Sequence, residues 1–140
     1  MVGVVALESW TPLPTARLAP IPAGAYWLAR QPDIHAVAVL PIANDTPTDW
    51  EHQTEIMRES TVNWTWLVNG SESLDPVGMA ARRATLATYP APAARRLLQQ
   101  LHVDAVVLRL PWLSPGQRTL MERSCRSVYR DQVMVVCRVG

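Results

Sequence analysis

The stretch Val103 to Leu110 reads VDAVVLRL, apolar and β-branched except at Asp104 and Arg109. A nearly continuous apolar run of this length suits a strand that is covered on both faces, as in a parallel sheet. Ile34 to Leu40, IHAVAVL, is a second run of the same kind, and Pro41 closes it. Helical segments separate the two, so they pair in parallel through a right-handed crossover.

Working outward, Ala23 to Gln31 lies between Pro22 and Pro32 and reads as a short helix with Tyr26 or Trp27 and Leu28 inward. Thr48-Asp-Trp-Glu51 is a capping-box pattern; the helix after it puts Trp50, Gln53 or Thr54, and Met57 on one side. Gly78 to Thr88 is a third helix, ended by Pro90. Pro92 to Leu101 is a fourth, with Leu97, Leu98 and Leu101 at core spacing and Arg95, Arg96, Gln99 and Gln100 outward. Ser114-Pro-Gly-Gln117 gives a second capping box that opens a helix through Met121. At the start, Val2 to Leu7 reads as a short strand, and four prolines keep Trp10 to Pro22 out of helix. Cys125 to Val139 reads as two strands turning at Asp131. The expectation is one α/β domain over residues 1–140: a mixed sheet with parallel central strands, helices on both faces and a C-terminal antiparallel hairpin.

Composition excludes some functions. With 140 residues, 49% apolar content and a net charge of +1, the chain is globular and has no global field to draw in nucleic acid or an acidic membrane. The apolar run at 103–113 is too short to span a bilayer, and the N-terminal residues lack a basic start and a long apolar stretch. Taken literally the chain is soluble and untargeted; an excised piece of a larger protein would read the same way.

Searches for chemistry return little. His35, His52 and His102 are too scattered for a metal motif, and His35 reads as a hydrogen-bonded core residue. His52-x-x-Glu55 reads as a solvated helix turn, and the acidic run Asp45, Asp49, Glu51, Glu55 and Glu59 as a helix exposing its carboxylates. No nucleophile elbow, P-loop or dinucleotide glycine pattern occurs, so no cofactor is expected. Arg82-Arg83 and Arg95-Arg96 read as solvated helix faces, with a small anion patch as the alternative. Cys125 and Cys137 are equidistant from Asp131. A hairpin centred there pairs 129 with 133, 127 with 135 and 125 with 137, which makes a disulfide feasible; two buried thiols are the alternative.

Glu59 to Gly70, ESTVNWTWLVNG, holds two of the six tryptophans. Trp64 and Trp66 alternate with Asn63 and Thr65, as in an extended segment, and Asn69-Gly70 is a strong turn signal. One indole is expected to plug the core and the other to offer a platform for a sugar ring or apolar chain. A core Trp64 implies that Trp64→Ala costs about 3–5 kcal/mol.

The pattern Met57-x-x-Ser60-Thr61-x-x-Trp64-x-x-Leu67-Val68-Asn69-Gly70, with Pro76 beyond it, resembles a motif in large bacterial multi-pass membrane proteins of the C-type glycosyltransferase superfamily. These proteins are related to the dolichyl-phosphate-mannose-dependent mannosyltransferases. There the form M-x-x-S-T-x-H-W-x-P-L-V-N-G-Y-S-G lies in the soluble domain after the last transmembrane helix. Tyr26-Trp27-Leu28 leading to Val39-Leu40-Pro41, and Leu101 to Val107, resemble the same domain, so the resemblance runs from about Trp10 to the C-terminus.

The resemblance implies a non-catalytic domain on the periplasmic or extracellular face of the membrane, with a structural or ligand-positioning role. Its partners would be the transmembrane region of the same polypeptide and a lipid-linked sugar or glycan. Candidate ligand contacts are Glu59, Ser60, Asn63, Trp64, Trp66 and Asn69. Asn63 stands where the motif has His, Trp66 where it has Pro, and Ser71-Glu72-Ser73 where it has Tyr-Ser-Gly. The acidic catalytic loops of such transferases lie between membrane helices and none is in this chain, so no catalytic residue carries over. The alternative is a free-standing, cytoplasmic enzyme or small-molecule or sugar-binding protein on the same fold.

Overall fold

The computed structural model describes residues 19–42, 47–68 and 78–140, with the backbone alone at 47–49. The expected strand at Val2–Leu7, the prolines before Ala19, Asp45 and the Asn69-Gly70 turn lie outside these residues.

The described elements are α1 (Ala23–Leu28), β1 (Ala36–Leu40), α2 (Pro47–Asn63), β2 (Trp66–Leu67), α3 (Met79–Leu86), α4 (Pro92–Gln100), β3 (Ala105–Arg109), a 3-10 turn (Leu110–Trp112), α5 (Pro115–Arg123), β4 (Arg126–Arg130) and β5 (Met134–Arg138). The strands form one sheet in the order β2-β1-β3-β5-β4. β1 runs parallel to β2 and β3, whereas β5 is antiparallel to β3 and β4. This is the expected mixed α/β sheet with a C-terminal antiparallel pair.

Every residue of β1 and β3 is buried, which is what two unbroken apolar runs require. One side of the sheet packs Ala38, Leu40, Val106, Leu108 and Val135 against Leu86, Leu98 and Met121 of α3, α4 and α5. The other packs Val37, Val39, Val107, Met134 and Val136 against Leu28 of α1 and Ile56 of α2. Helices therefore cover both faces. Full burial of a Val or Leu side chain is worth about 1.5–3 kcal/mol, so these two layers are the main source of stability.

Several local expectations shift. α1 ends at Leu28 rather than Gln31, because the amides of Arg30 and Gln31 bond three residues back, to Trp27 and Leu28, and tighten the chain before Pro32. α2 begins at Pro47, so Thr48 lies inside its first turn and not ahead of it. His35 is exposed just before β1; its amide and that of Ala36 both donate to Asp104 Oδ2, at 2.7 and 2.9 Å. At Ser114 the capping box is complete in both directions, and α5 continues past Met121 to Arg123.

The hairpin forms with a different register. Arg130 opposes Val135, Ser127 opposes Cys137 and Arg126 opposes Arg138, with an irregularity between Ser127 and Tyr129. The turn centre lies after Asp131 because that residue closes it: its Oδ1 accepts the amides of Val133 and Met134 at 2.7 and 2.8 Å, and its Oδ2 the Tyr129 hydroxyl at 2.8 Å. Cys125 and Cys137 are joined by a disulfide with Cα atoms 5.2 Å apart. Since Cys137 faces Ser127, the bridge runs diagonally rather than between direct ladder partners. α1 sits close on this hairpin at Gly24, where any Cβ would collide with the Met134 side chain and crowd Tyr129.

Burial alone would raise the Asp131 carboxyl, but its bonds from Met134, Val133 and Tyr129 outweigh that and hold it below the ordinary aspartate value. Asp104 is lowered in the same way: the amides of Ala36 and His35 overcome burial. A carboxylate with a depressed folded value contributes stability above its ordinary value and loses it as pH falls through the folded one. Urea midpoints should therefore drop steeply below the ordinary aspartate range. Asp131→Asn should be less stable at neutral pH and show a shallower acid dependence; an unchanged acid limb would remove Asp131 from this role.

Candidate functional site

Two places draw attention, and the expected site residues divide between them. The first is the stretch ESTVNWTWLVNG. Its beginning is helix, not extended chain: α2 runs through Asn63, and the Trp64 amide still donates to the Ser60 carbonyl at 2.9 Å. Asn63 Oδ1 then accepts the Thr65 amide at 3.1 Å and its hydroxyl at 2.9 Å, and Trp64 turns through the left-handed region at φ 52°. That turn lets β2 pair with β1, the Trp66 amide donating to the His35 carbonyl at 2.7 Å.

The consequence for the indoles is a correction. Trp64 is 84% exposed and Trp66 76%, so neither plugs the core; Leu67 does so in part. On α2, Trp50, Thr54 and Met57 share the exposed side, and the buried face is Gln53, Ile56 and Glu59. A seven-residue step puts Trp50 and Met57 on one side of the helix, away from the sheet, and Trp64, just past its end, is exposed as well. Ser60 is occupied locally, its hydroxyl bonding the Met57 carbonyl at 2.6 Å. Asn69 lies outside the described residues.

The second place was not foreseen. The connection leaving β1 goes over one face of the sheet as α2, and the one leaving β3 goes over the other as α5. Where successive connections diverge, the carboxyl ends of the parallel strands leave a crevice, the usual ligand position in open α/β sheets. Here it is a cleft of about 490 Å³. Its wall is made by Arg109 at the end of β3 with Pro111 and Trp112 after it, by Glu55, Arg58 and Glu59 of α2, and by residues 19–23 at the entry to α1.

Arg109 anchors it. Only 3% exposed, it donates Nη1 to Glu59 Oε1 at 2.6 Å and Nη2 to Glu55 Oε2 at 3.0 Å. Its guanidinium carbon lies 4.4 Å from the Trp112 ring centroid, and His52 stacks on the same indole at 3.9 Å. Arg109 Nε is buried without a partner among the described residues, as is Gln53 Oε1. Arg58 adds a bond to the Ala19 carbonyl. Glu59, at 6% exposure, is therefore one half of a buried ion pair, and His52 and Glu55 are engaged rather than solvated. Burial pushes the Glu59 carboxyl above the ordinary glutamate value, against the pull of Arg109.

Chemically, this cluster holds one guanidinium between two carboxylates, one of them half open to the cleft. It can position a polar or cationic group, and it locks α2 to the central strand. Among the described residues no group of His, Cys, Asp and Glu is arranged to hold a metal ion. A sequence signal existed: a lone Arg in a fully buried strand must be paired, and Glu55 and Glu59 are one helical turn apart.

No protein-family model, curated protein or solved structure is matched by this chain.

Two substitutions separate the two places. Arg109→Ala leaves the buried Glu59 carboxylate without its partner and beside Glu55, and should cost about 3–5 kcal/mol. A carboxyl with a raised folded value loses stability as pH rises through it, so the variant should be most stable near pH 4 and weaken towards neutrality. Trp64→Ala, on the surface, should stay within about 0.5 kcal/mol of wild type. Denaturant titration at pH 4 and 7 reads both, and a large loss for Trp64→Ala would return that indole to the core.

Proposed function

We propose that this chain is a non-catalytic, extracytoplasmic domain of a glycosyltransferase-like multi-pass membrane protein. In this reading it turns the outer side of α2 and the β2 edge towards the membrane–water boundary beside the transmembrane region of the same polypeptide. The observation that carries the reading is the exposure of the motif's own side chains: Met57 and Trp64 lie bare, with Trp50 and Trp66 beside them in sequence. Large apolar groups left on a surface mark interaction sites, and tryptophan is favoured where apolar and aqueous phases meet. The Cys125–Cys137 disulfide supports an oxidising compartment, where such bridges persist. No helix among the described residues is long and apolar enough to cross a membrane, so in this reading the span lies elsewhere in the polypeptide.

The cleft at Arg109 favours a second reading, a small free-standing binding protein or enzyme. Position at the carboxyl end of the central strand supports it, and Glu55 would be its accessible carboxylate.

Tryptophan emission with phosphatidylcholine vesicles tests the first reading. A blue shift and co-flotation are expected, both lost in the Trp64→Ala, Trp66→Ala double variant while the melting temperature holds. Unchanged emission at saturating lipid would remove the membrane-proximal placement. The isolated chain should release no sugar from a lipid-linked donor; turnover that Glu55→Gln abolishes would promote the second reading instead.

A further inference from the structure

Residues 78–103 contain four arginines and no Asp or Glu, although the chain as a whole is nearly neutral. They build α3, α4 and the bend at Tyr89-Pro90, on the side of the sheet away from α2. Where α4 meets the start of β4 and the end of β5, a cleft of about 430 Å³ opens. It is bordered by Tyr89, Arg95, Leu98, Ser124, Arg126 and Val139, at the opposite end of β3 from Arg109.

Three observations give this cleft an anionic preference. Arg95 is fixed by neutral acceptors: its Nε bonds the Pro90 carbonyl at 3.1 Å and an Nη the Ser124 carbonyl at 3.3 Å, and no side-chain carboxylate bonds it among the described residues. The Arg126 side chain makes no hydrogen bond or ion pair among the described residues, yet stands directly across the ladder from Arg138. Like charges so placed repel. Asp33 pairs with Arg138, whereas among the described residues no acid pairs with the Arg126 side chain. The Tyr89 hydroxyl has no hydrogen-bond partner among the described residues, and burial raises its pKa, so it remains a donor. The disulfide holds the walls in place, since Cys125 lies between Ser124 and Arg126, and Cys137 precedes Arg138.

We propose that this cleft is an anion site for a small phosphorylated molecule, the phosphate held by Arg95, Arg126 and the Tyr89 hydroxyl, and the organic part resting on Leu98 and Val139. The phosphate could be that of a soluble metabolite or of a lipid headgroup, and the geometry is common to both. The site is independent of the α2 surface and of the cleft at Arg109.

Thermal melts of the whole chain with inorganic pyrophosphate, against sodium chloride at equal ionic strength, test it. A saturable rise in melting temperature is expected with pyrophosphate alone. Arg126→Ala, which removes an exposed and unpartnered side chain and so leaves the fold intact, should weaken apparent affinity about tenfold, the usual effect of losing one charged hydrogen bond. Arg95→Ala should do the same, while Arg118→Ala, on α5 and paired with Glu122, should not. Short-chain phosphatidic acid below its micelle concentration distinguishes the sources: tighter binding than pyrophosphate assigns a lipid headgroup, weaker binding a soluble ligand. An absent or non-saturable shift overturns the proposal. So does unchanged affinity in Arg126→Ala, or an equal loss in an Arg82→Ala, Arg96→Ala variant, which would mean a diffuse basic face and no built site.

Discussion

A strand with every side chain buried has no face to give to water, and two such strands, β1 and β3, lie side by side at the centre of this sheet. Covering both faces is then obligatory, and the short connections deliver the cover: α1 and α2 on one side, α3 to α5 on the other. The edges follow from the same constraint. β2 is two residues long, and β4 is mostly exposed and rich in charge, which makes poor templates for further pairing.

Arg109 is the exception inside that apolar frame, and it shows how an ionic group is tolerated there. It stands at the last position of β3, where the chain leaves the sheet, and it meets two carboxylates and an indole at once. Such a pair is weak evidence for stability, because desolvation offsets the attraction. It does favour the rotational setting of α2 in which the face carrying Glu55 and Glu59 meets the guanidinium. The same setting sends Trp50, Met57 and Trp64 outward. The exposed apolar stripe and the buried ion cluster are two sides of one helix orientation.

The charge distribution follows the layers as well. The α2 carboxylates Glu55 and Glu59 are matched by Arg109, while the α3–α4 layer carries arginine and no acid, so the net charge of +1 conceals an uneven distribution. Buried aliphatic side chains fill the core, which leaves the faces and strand ends for function.

The architecture was legible in the sequence because its signals are local and periodic. Unbroken apolar runs marked β1 and β3, prolines marked where helices stop, and Ser114 to Gln117 spelled out a cap that the backbone completes. What the sequence left open depended on where each element faces. The indoles at 64 and 66 read as an extended, core-filling segment, yet α2 persists to Asn63, whose side chain then turns the chain at Trp64 and leaves both rings outside. A symmetric hairpin about Asp131 was the simplest reading, but the hydrogen bonds that Asp131 accepts from residues ahead of it shift the register and make the disulfide diagonal. Glu59 looked like one of several exposed acids; only its partner fifty residues away, on β3, makes it a buried one. Local propensity decides which elements form, whereas the facing of a helix and the fate of a charge are settled by groups distant in sequence, which become neighbours only when the layers close.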